Sequence, residues 1–386
     1  MTGSPPQRGG PLSGLRIIEM AGIGPAPMCG MLLADLGAEI LRIDRPRQPA
    51  DLGIDRPLET NFILRGRRTI RVDLKSPDGI ELLLALIARA DGLIEGFRPG
   101  VMERLGLGPE PCLARNPRLV YGRVTGWGQT GPRAQTAGHD LNYIALTGAL
   151  DAMGRRGERP PVPLNLIGDF AGGALFLALG IVAGLVRVRG GGAGQVVDAA
   201  IVDGVAAMMT SLNGLRAAGL FAPERGSNIL DSGAWFYDVY RCADGGHVAV
   251  GPIERRFCGA LLERLGLDPA EMPPQDDRDR WDEGRERLRA VFASRSRDDW
   301  AAVFAEGDAC VTPVLALEEA FEDPHLVERG THGRIGGHVQ AMPAPRFSAT
   351  PPPPPAPPRA PQGPEALAGW LDEDAIDLLG RAVVTH

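Results

Sequence analysis

A histidine and an aspartate, each beside a glycine, offer side chains that can exchange a proton near neutral pH: His139, within Gly138-His139-Asp140, and Asp169, directly after Gly168. An imidazole titrates at about 6.5, and burial lifts a carboxyl group toward neutrality. A facing pair of this kind can therefore remove a proton from one side of a carbon and return it to the other. The same residues also admit a structural reading, in which the histidine is a satisfied core residue and Asp169 caps the apolar helix that follows. Residue type and spacing leave both readings open.

The elements that would hold such a pair follow from the hydrophobic pattern. Apolar strands are expected at 15–19, 39–43, 92–95 and 119–125, with helices at 28–36 and 79–90 between them. Such alternation implies a parallel sheet covered by helices. The uncharged run 170–186 is slightly short for a membrane span and carries Gly172, Gly173, Gly180 and Gly184, so a buried helix behind an Asp169 N-cap is expected. A glycine turn at 190–194, a strand at 195–197 and one long helix over 199–220 behind Asp198 come next. Residues 235–330 read as a smaller mixed domain, with a strand at 247–250 and helices near 255–265 and 281–293. The proline-rich stretch 343–364 should be extended polyproline without packed structure, followed by a short closing helix within 367–379.

Composition narrows the function classes. A chain of 386 residues exceeds the size at which single cores stop growing, so two domains or more are expected. The net charge of −7 gives nothing to attract nucleic acid or an anionic membrane surface. Five cysteines, Cys29, Cys112, Cys242, Cys258 and Cys310, are scattered without metal-ligand spacing, which points to reduced thiols, a cytoplasmic protein and no metal site. The first eight residues lack the apolar core of a secretory signal and read as a disordered lead-in. The turn Gly22-Ile23-Gly24-Pro25-Ala26-Pro27 begins like a dinucleotide-binding loop, but its third glycine is missing and two prolines remove backbone donors, which argues against a nicotinamide cofactor.

A series of segments carries a resemblance. They are Gly10-Pro11-Leu12-Ser13-Gly14-Leu15-Arg16, Asp35-Leu36-Gly37-Ala38, Ile43-Asp44-Arg45-Pro46, Val72-Asp73-Leu74-Lys75, Glu95-Gly96-Phe97-Arg98-Pro99-Gly100, Glu103-Arg104-Leu105-Gly106, Thr125-Gly126-Trp127-Gly128-Gln129, Gly138-His139-Asp140-Leu141-Asn142-Tyr143 and Gly168-Asp169. In this order and spacing the chain resembles the family III CoA-transferase superfamily and, within it, the alpha-methylacyl-CoA racemases, over about residues 10–350.

That resemblance implies an α/β fold with a Rossmann-like large domain formed by both chain ends, a smaller central α+β domain, and an interlocked homodimer whose active site is shared between subunits. The implied boundaries are a lead-in at 1–10, the large CoA-binding domain at 11–200, a linker helix region at 201–234, the small domain at 235–330, and a return to the large domain at 331–386. It implies an isomerase that interconverts (2R)- and (2S)-2-methylacyl-CoA thioesters, with CoA as part of the substrate and no separate cofactor. His139 and Asp169 would be the acid/base pair, and Glu254 would reach the histidine from the partner subunit. The substrate would lie against Arg45, Val72, Asp73, Leu74, Lys75, Gly96, Phe97, Arg98, Arg104, Gly138, Asp140, Leu141, Asn142 and Tyr143, with Asn165 and Tyr237 behind them. Arginine's planar fork suits the phosphates of coenzyme A. Backbone N–H groups at the helix start by Asp169 would face the enolate oxygen. Methionines such as Met208 and Met209 are candidates to line an apolar acyl pocket, and core packing is their alternative. Two other functions remain open at this point. One is a CoA-transferase that uses Asp169 as acyl nucleophile, and the other is a non-catalytic acyl-CoA-binding protein.

Overall fold

A computed structural model describes residues 9–46 and 56–385. Most of the expected N-terminal lead-in, residues 1–8, falls outside the described residues. The chain divides into two compact units, one within Met1–Thr147, Pro163–Met208 and Pro324–His386, the other within Gly148–Val162 and Met209–Asp323.

Six short strands build the first unit: β1 (Arg16–Met20), β2 (Glu39–Asp44), β3 (Arg68–Arg71), β4 (Gly92–Glu95), β5 (Val120–Thr125) and β6 (Gln195–Ala200). Their order is β3-β2-β1-β4-β5-β6, and every neighbouring pair is parallel. Strands 1, 2 and 4 are almost wholly buried, as strands covered by helices on both faces must be. The order reverses between β1 and β4, and in open α/β sheets the crevice beyond the carboxyl ends at such a point is where ligands bind.

Local chemistry sets the first helices. Pro25–Asp35 starts at a proline, whose fixed φ suits a first helical turn, so Pro25 and Pro27 belong to the helix rather than to the rigid turn expected of them. Ser76 caps Pro77–Ile87, its Oγ accepting the Gly79 N–H at 3.0 Å.

The apolar run differs from its expectation in two ways. It opens as a π-helical segment, Leu166–Leu175, and continues as the α-helix Phe176–Arg189. Asn165 precedes that segment, so Asp169 lies inside a wide turn and is not an N-cap. The helix is also only half buried. Its glycines allow close packing, with positions for a Cβ at Gly180 and Gly184 already filled by Val197 and Val120. The opposite side leaves Leu175, Leu179 and Val186 exposed. By length and composition this stretch could cross a membrane.

Strand β6 runs on to Ala200, with Asp198 paired opposite Arg123 in the sheet. The single long helix expected after Asp198 is instead two, Ile201–Met208 and Thr210–Ala217. Burial explains the break: the first carries buried Ile201, Gly204 and Val205, and the second buries nothing.

The proline-rich stretch has little regular structure but is not unpacked. The Gly66 N–H donates to Ala356 O and the Gln362 N–H to Thr69 O, which tie it along β3. Beyond it Leu367, Trp370, Leu371 and Val383 enter the core with Ile18, Leu41, Ile43, Ile70 and Leu86. Within the expected closing segment, helix covers Glu373–Leu379, behind an Asp372 cap.

The second unit has an antiparallel sheet of β7 (Asp238–Arg241), β8 (His247–Val250) and β9 (Val311–Pro313) in that order. Helices Arg255–Leu265 and Trp281–Phe292 cover an aromatic core that includes Trp235, Phe236, Phe292 and Trp300. Residues 148–162 fall in this unit, although the large domain was expected to run unbroken from 11 to 200. The cause is a two-pronged pairing of Arg155 with buried Asp238, at 2.7 and 2.9 Å.

Candidate active site

The loops at the carboxyl ends of the parallel strands carry most of the residues singled out by type. After β1 comes Gly24, after β2 Arg45, after β3 Lys75, after β4 Phe97 and Arg98, and after β5 Trp127 and His139. The fold therefore gathers segments far apart in sequence along one edge of the sheet.

His139 is exposed and precedes the helix Asp140–Leu146. Its backbone N–H donates to Asn142 Oδ1 at 3.0 Å, which fixes the entry of the chain into that helix. Tyr143 also holds this corner, its hydroxyl donating to Gly138 O while its ring meets Trp127 edge-on with centroids 4.8 Å apart. A Cβ on Gly126 or Gly138 would strike these rings, so both glycines are space for them. Trp127 Nε1 is buried and has no hydrogen-bond partner.

Asp169 is half-buried. Its pKa is raised to about 6, by burial first and by the charge of Asp140 second, against an Asn165 side-chain hydrogen bond and the charge of His139, which pull it down. Its backbone N–H donates to Asp140 Oδ2 at 2.6 Å. That amide, expected to face an enolate oxygen, is thus already engaged. Gly24 completes the surroundings. It has φ +65, and a Cβ there would sit 3.0 Å from Asp169 Oδ2. Gly24→Ala is expected to cost about 1–2 kcal/mol of backbone strain and to push on the carboxylate. Thermal melting and turnover of the variant should both fall.

The basic residues divide. Arg45 lies over the Phe97 ring, 5.5 Å from its centroid, next to exposed Arg98. Arg104 is exposed, with Nη1 beside Gly100. Gly96 lets β4 approach Ala26, whose Cβ would lie 3.2 Å from one on the glycine. In the β3 loop, Val72 is core, Leu74 packs against it, and Asp73 Oδ1 accepts the N–H of exposed Lys75. Leu141 is partly exposed at the start of the His139 helix, and Met208 is exposed.

Glu254 and Tyr237 belong to the second unit. Glu254 is exposed just before Arg255–Leu265 and makes no capping bond, while Tyr237 lies against Gly251. A cavity of about 710 Å³ in that unit is lined by Arg155, Asp238, Arg241, His247 and Arg289, among others, and holds neither member of the pair. Sequence reasoning missed two contacts of Asp169, those of Gly24 and Asp140. The first had a signal, a Gly-x-Gly turn straight after a strand, which was weighed only as a nucleotide loop.

The site thus holds an exposed histidine and a half-buried carboxyl group, with arginines on the loops that follow the neighbouring strands. The family model for CoA-transferase family III matches residues 12–365, and the chain belongs to that family. It is 45% identical over 341 residues to the alpha-methylacyl-CoA racemase of Mus musculus, covering 88% of this chain and 87% of the relative. The Homo sapiens alpha-methylacyl-CoA racemase is 44% identical with the same coverage. Among solved structures, a CAIB/BAIF family protein from Brucella suis superposes with a TM-score of 0.78 at 25% identity, covering 92% of this chain and 97% of that one.

Proposed function

We propose that the chain is an alpha-methylacyl-CoA racemase that interconverts (2R)- and (2S)-2-methylacyl-CoA thioesters through an enolate, with His139 and Asp169 as the two proton carriers. The observation that carries this reading is the Asp169 carboxyl, half-buried beside His139 and raised to about 6. A thioester acidifies its α carbon. A base on one face removes that proton, an acid on the other delivers one, and the roles exchange with the epimer bound. A carboxyl titrating near 6 suits both roles near neutral pH. Because Asp140 occupies the Asp169 amide, the donors left for the enolate oxygen are the N–H groups of Asp140 and Leu141, in the first turn of the His139 helix, where no intrahelical partner exists.

The first unit is a Rossmann-like CoA-binding domain in this reading. Arg45, Arg98, Arg104 and Lys75 meet the phosphates of coenzyme A, which enters as part of the substrate without a further cofactor. The protein works in the cytoplasm as an interlocked homodimer, in which Glu254 and Tyr237 approach the pair from the other subunit. The comparisons that support the reading are the two racemase relatives at 44–45% identity.

The test is incubation with a (2R)- or (2S)-2-methylacyl-CoA in deuterated water, following the α proton by NMR and the epimer ratio by chiral separation. Deuterium uptake with approach to an equal mixture is the expected result. No exchange, but CoA transfer once a free acid is added, would make Asp169 an acyl nucleophile instead, and binding without turnover would leave only a carrier. The pH dependence has a definite sign. Asp169 must be ionised to act as base, so the rate from the epimer whose α proton faces it should fall about tenfold per unit well below pH 6. Initial rates from each epimer between pH 4.5 and 8 would check this.

A further inference from the structure

We propose that Asp140 is the positioning residue of this site, a buried carboxylate that ties the His139 segment to the Asp169 amide and whose negative charge stands beside the Asp169 carboxyl. The inference rests on the proton-transfer reading of the pair and adds a side chain that touches no reacting atom.

The geometry is unusual for a carboxylate. Asp140 is 6% exposed. Oδ2 accepts the Asp169 N–H at 2.6 Å, and Oδ1 is buried with no hydrogen-bond partner. Among the described residues no salt bridge to Asp140 is formed. A buried carboxylate with one oxygen unpaired is costly, and a residue that served packing alone would be apolar or fully satisfied. The surrounding fold makes room for it: a Cβ on Gly168 would fall 2.6 Å from Asp140 Oδ2 and 2.7 Å from its Cγ.

Position in the chain gives the contact its meaning. Asp140 follows His139 directly, so one bond joins it to one proton carrier and one hydrogen bond joins it to the backbone of the other. The separation of the two carriers is thereby fixed at a single residue, and proton transfer is sensitive to small errors in that distance. The charge acts in the same place. Asp140 adds to burial in raising Asp169, against the Asn165 hydrogen bond and the charge of His139. Near Asp169, the Asp140–Leu146 helix offers Tyr143, whose hydroxyl feels Asp169, Arg98 and Asp140, and Gly24, just ahead of the Pro25–Asp35 helix, brings its backbone alongside the carboxylate.

Asp140→Asn separates the two effects, because an amide oxygen still accepts the Asp169 N–H while the charge is gone. The expected result is an unchanged melting temperature, with the acid limb of the pH–rate profile and the Asp169 carboxyl titration, read by ¹³C NMR, both moved to lower pH. Asp140→Ala loses the hydrogen bond as well and should lower kcat by about 10- to 100-fold with little change in KM, as misplacement of a carrier does. Should Asp140→Asn fail to fold, Gly168→Ala displaces the carboxylate sterically and should shift the titration in the same direction. Wild-type values for both the limb and the NMR titration in these variants would overturn the proposal. The titration needs no turnover. If wild type exchanges no α proton, the racemase reading fails, while the NMR shift still decides the charge effect of Asp140.

Discussion

Replacing His139 by alanine is expected to uncouple exchange from inversion. With Asp169 intact, the epimer whose α proton faces the carboxylate should still trade that proton for deuterium, but no acid remains on the far face to complete the inversion. Racemisation should fall by about 10²–10⁴-fold, the usual contribution of a positioned acid or base, while exchange from that one epimer persists. Asp169→Asn should give the mirror image, with residual exchange only from the other epimer. Loss of all exchange in both variants would mean a different chemistry. Stability separates catalysis from structure. The folded-state pKa of Asp169, about 6, lies above the ordinary aspartate value of 3.8, so its ionisation as pH rises from about 4 to about 6 works against folding. At pH 7 Asp169→Asn removes that opposition, and the inactive variant should melt no lower than wild type. A large drop in melting temperature would identify Asp169 as a structural group.

Glu19→Ala is expected to be among the most damaging single changes to the fold. Glu19 lies in β1 with 0% exposure and meets Arg42 Nη1 at 2.5 Å and Arg67 Nη1 at 3.2 Å. Arg42 has Asp44 as a second partner, at 2.8 Å, whereas Glu19 is the only ion-pair partner of Arg67 among the described residues. Burial already weakens the hold of Arg67 on its proton. Removing the carboxylate leaves a cation in the interior, a loss of about 3–5 kcal/mol. The damage should also reach the site, since Arg67 Nη2 donates to Pro27 O at 2.6 Å, in the first turn behind Gly24. Urea unfolding should show a lower midpoint at unchanged slope, and Glu19→Gln, which keeps polar atoms in place, should lose less. An unchanged midpoint for Glu19→Ala would contradict this account.

What the sequence disclosed depended on how local its cause was. Strands β1, β2, β4 and β5 were legible because each is a short apolar run between turn residues. Strand β3 was not: Arg68-Thr69-Ile70-Arg71 reads as polar, and it is a strand because Leu41 to Asp44 and the returning tail pair with it. The helix before Arg189 was expected, but periodicity does not distinguish a wide π turn from an α turn over ten residues, so Asp169 was misread as a cap. In the site, His139 and Asp169 stood out by residue type. Their link through Asp140 did not, because it joins residues 29 positions apart. The excursion of 148–162 was hidden for the same reason, since Arg155 and Asp238 are 83 positions apart.

The returning tail has a consequence for how the chain is made. The second unit is complete once Asp323 has emerged, but the core under the parallel sheet still lacks Leu367, Trp370, Leu371 and Val383. Synthesis adds about 5–20 residues per second, so the unit begun first is finished last, and for some seconds its apolar underside has no cover. The Trp370 N–H, which reaches Glu39 at 2.9 Å, closes a circuit that begins near the other end of the chain. Until that latch arrives, the nascent first unit is the surface a chaperone would find.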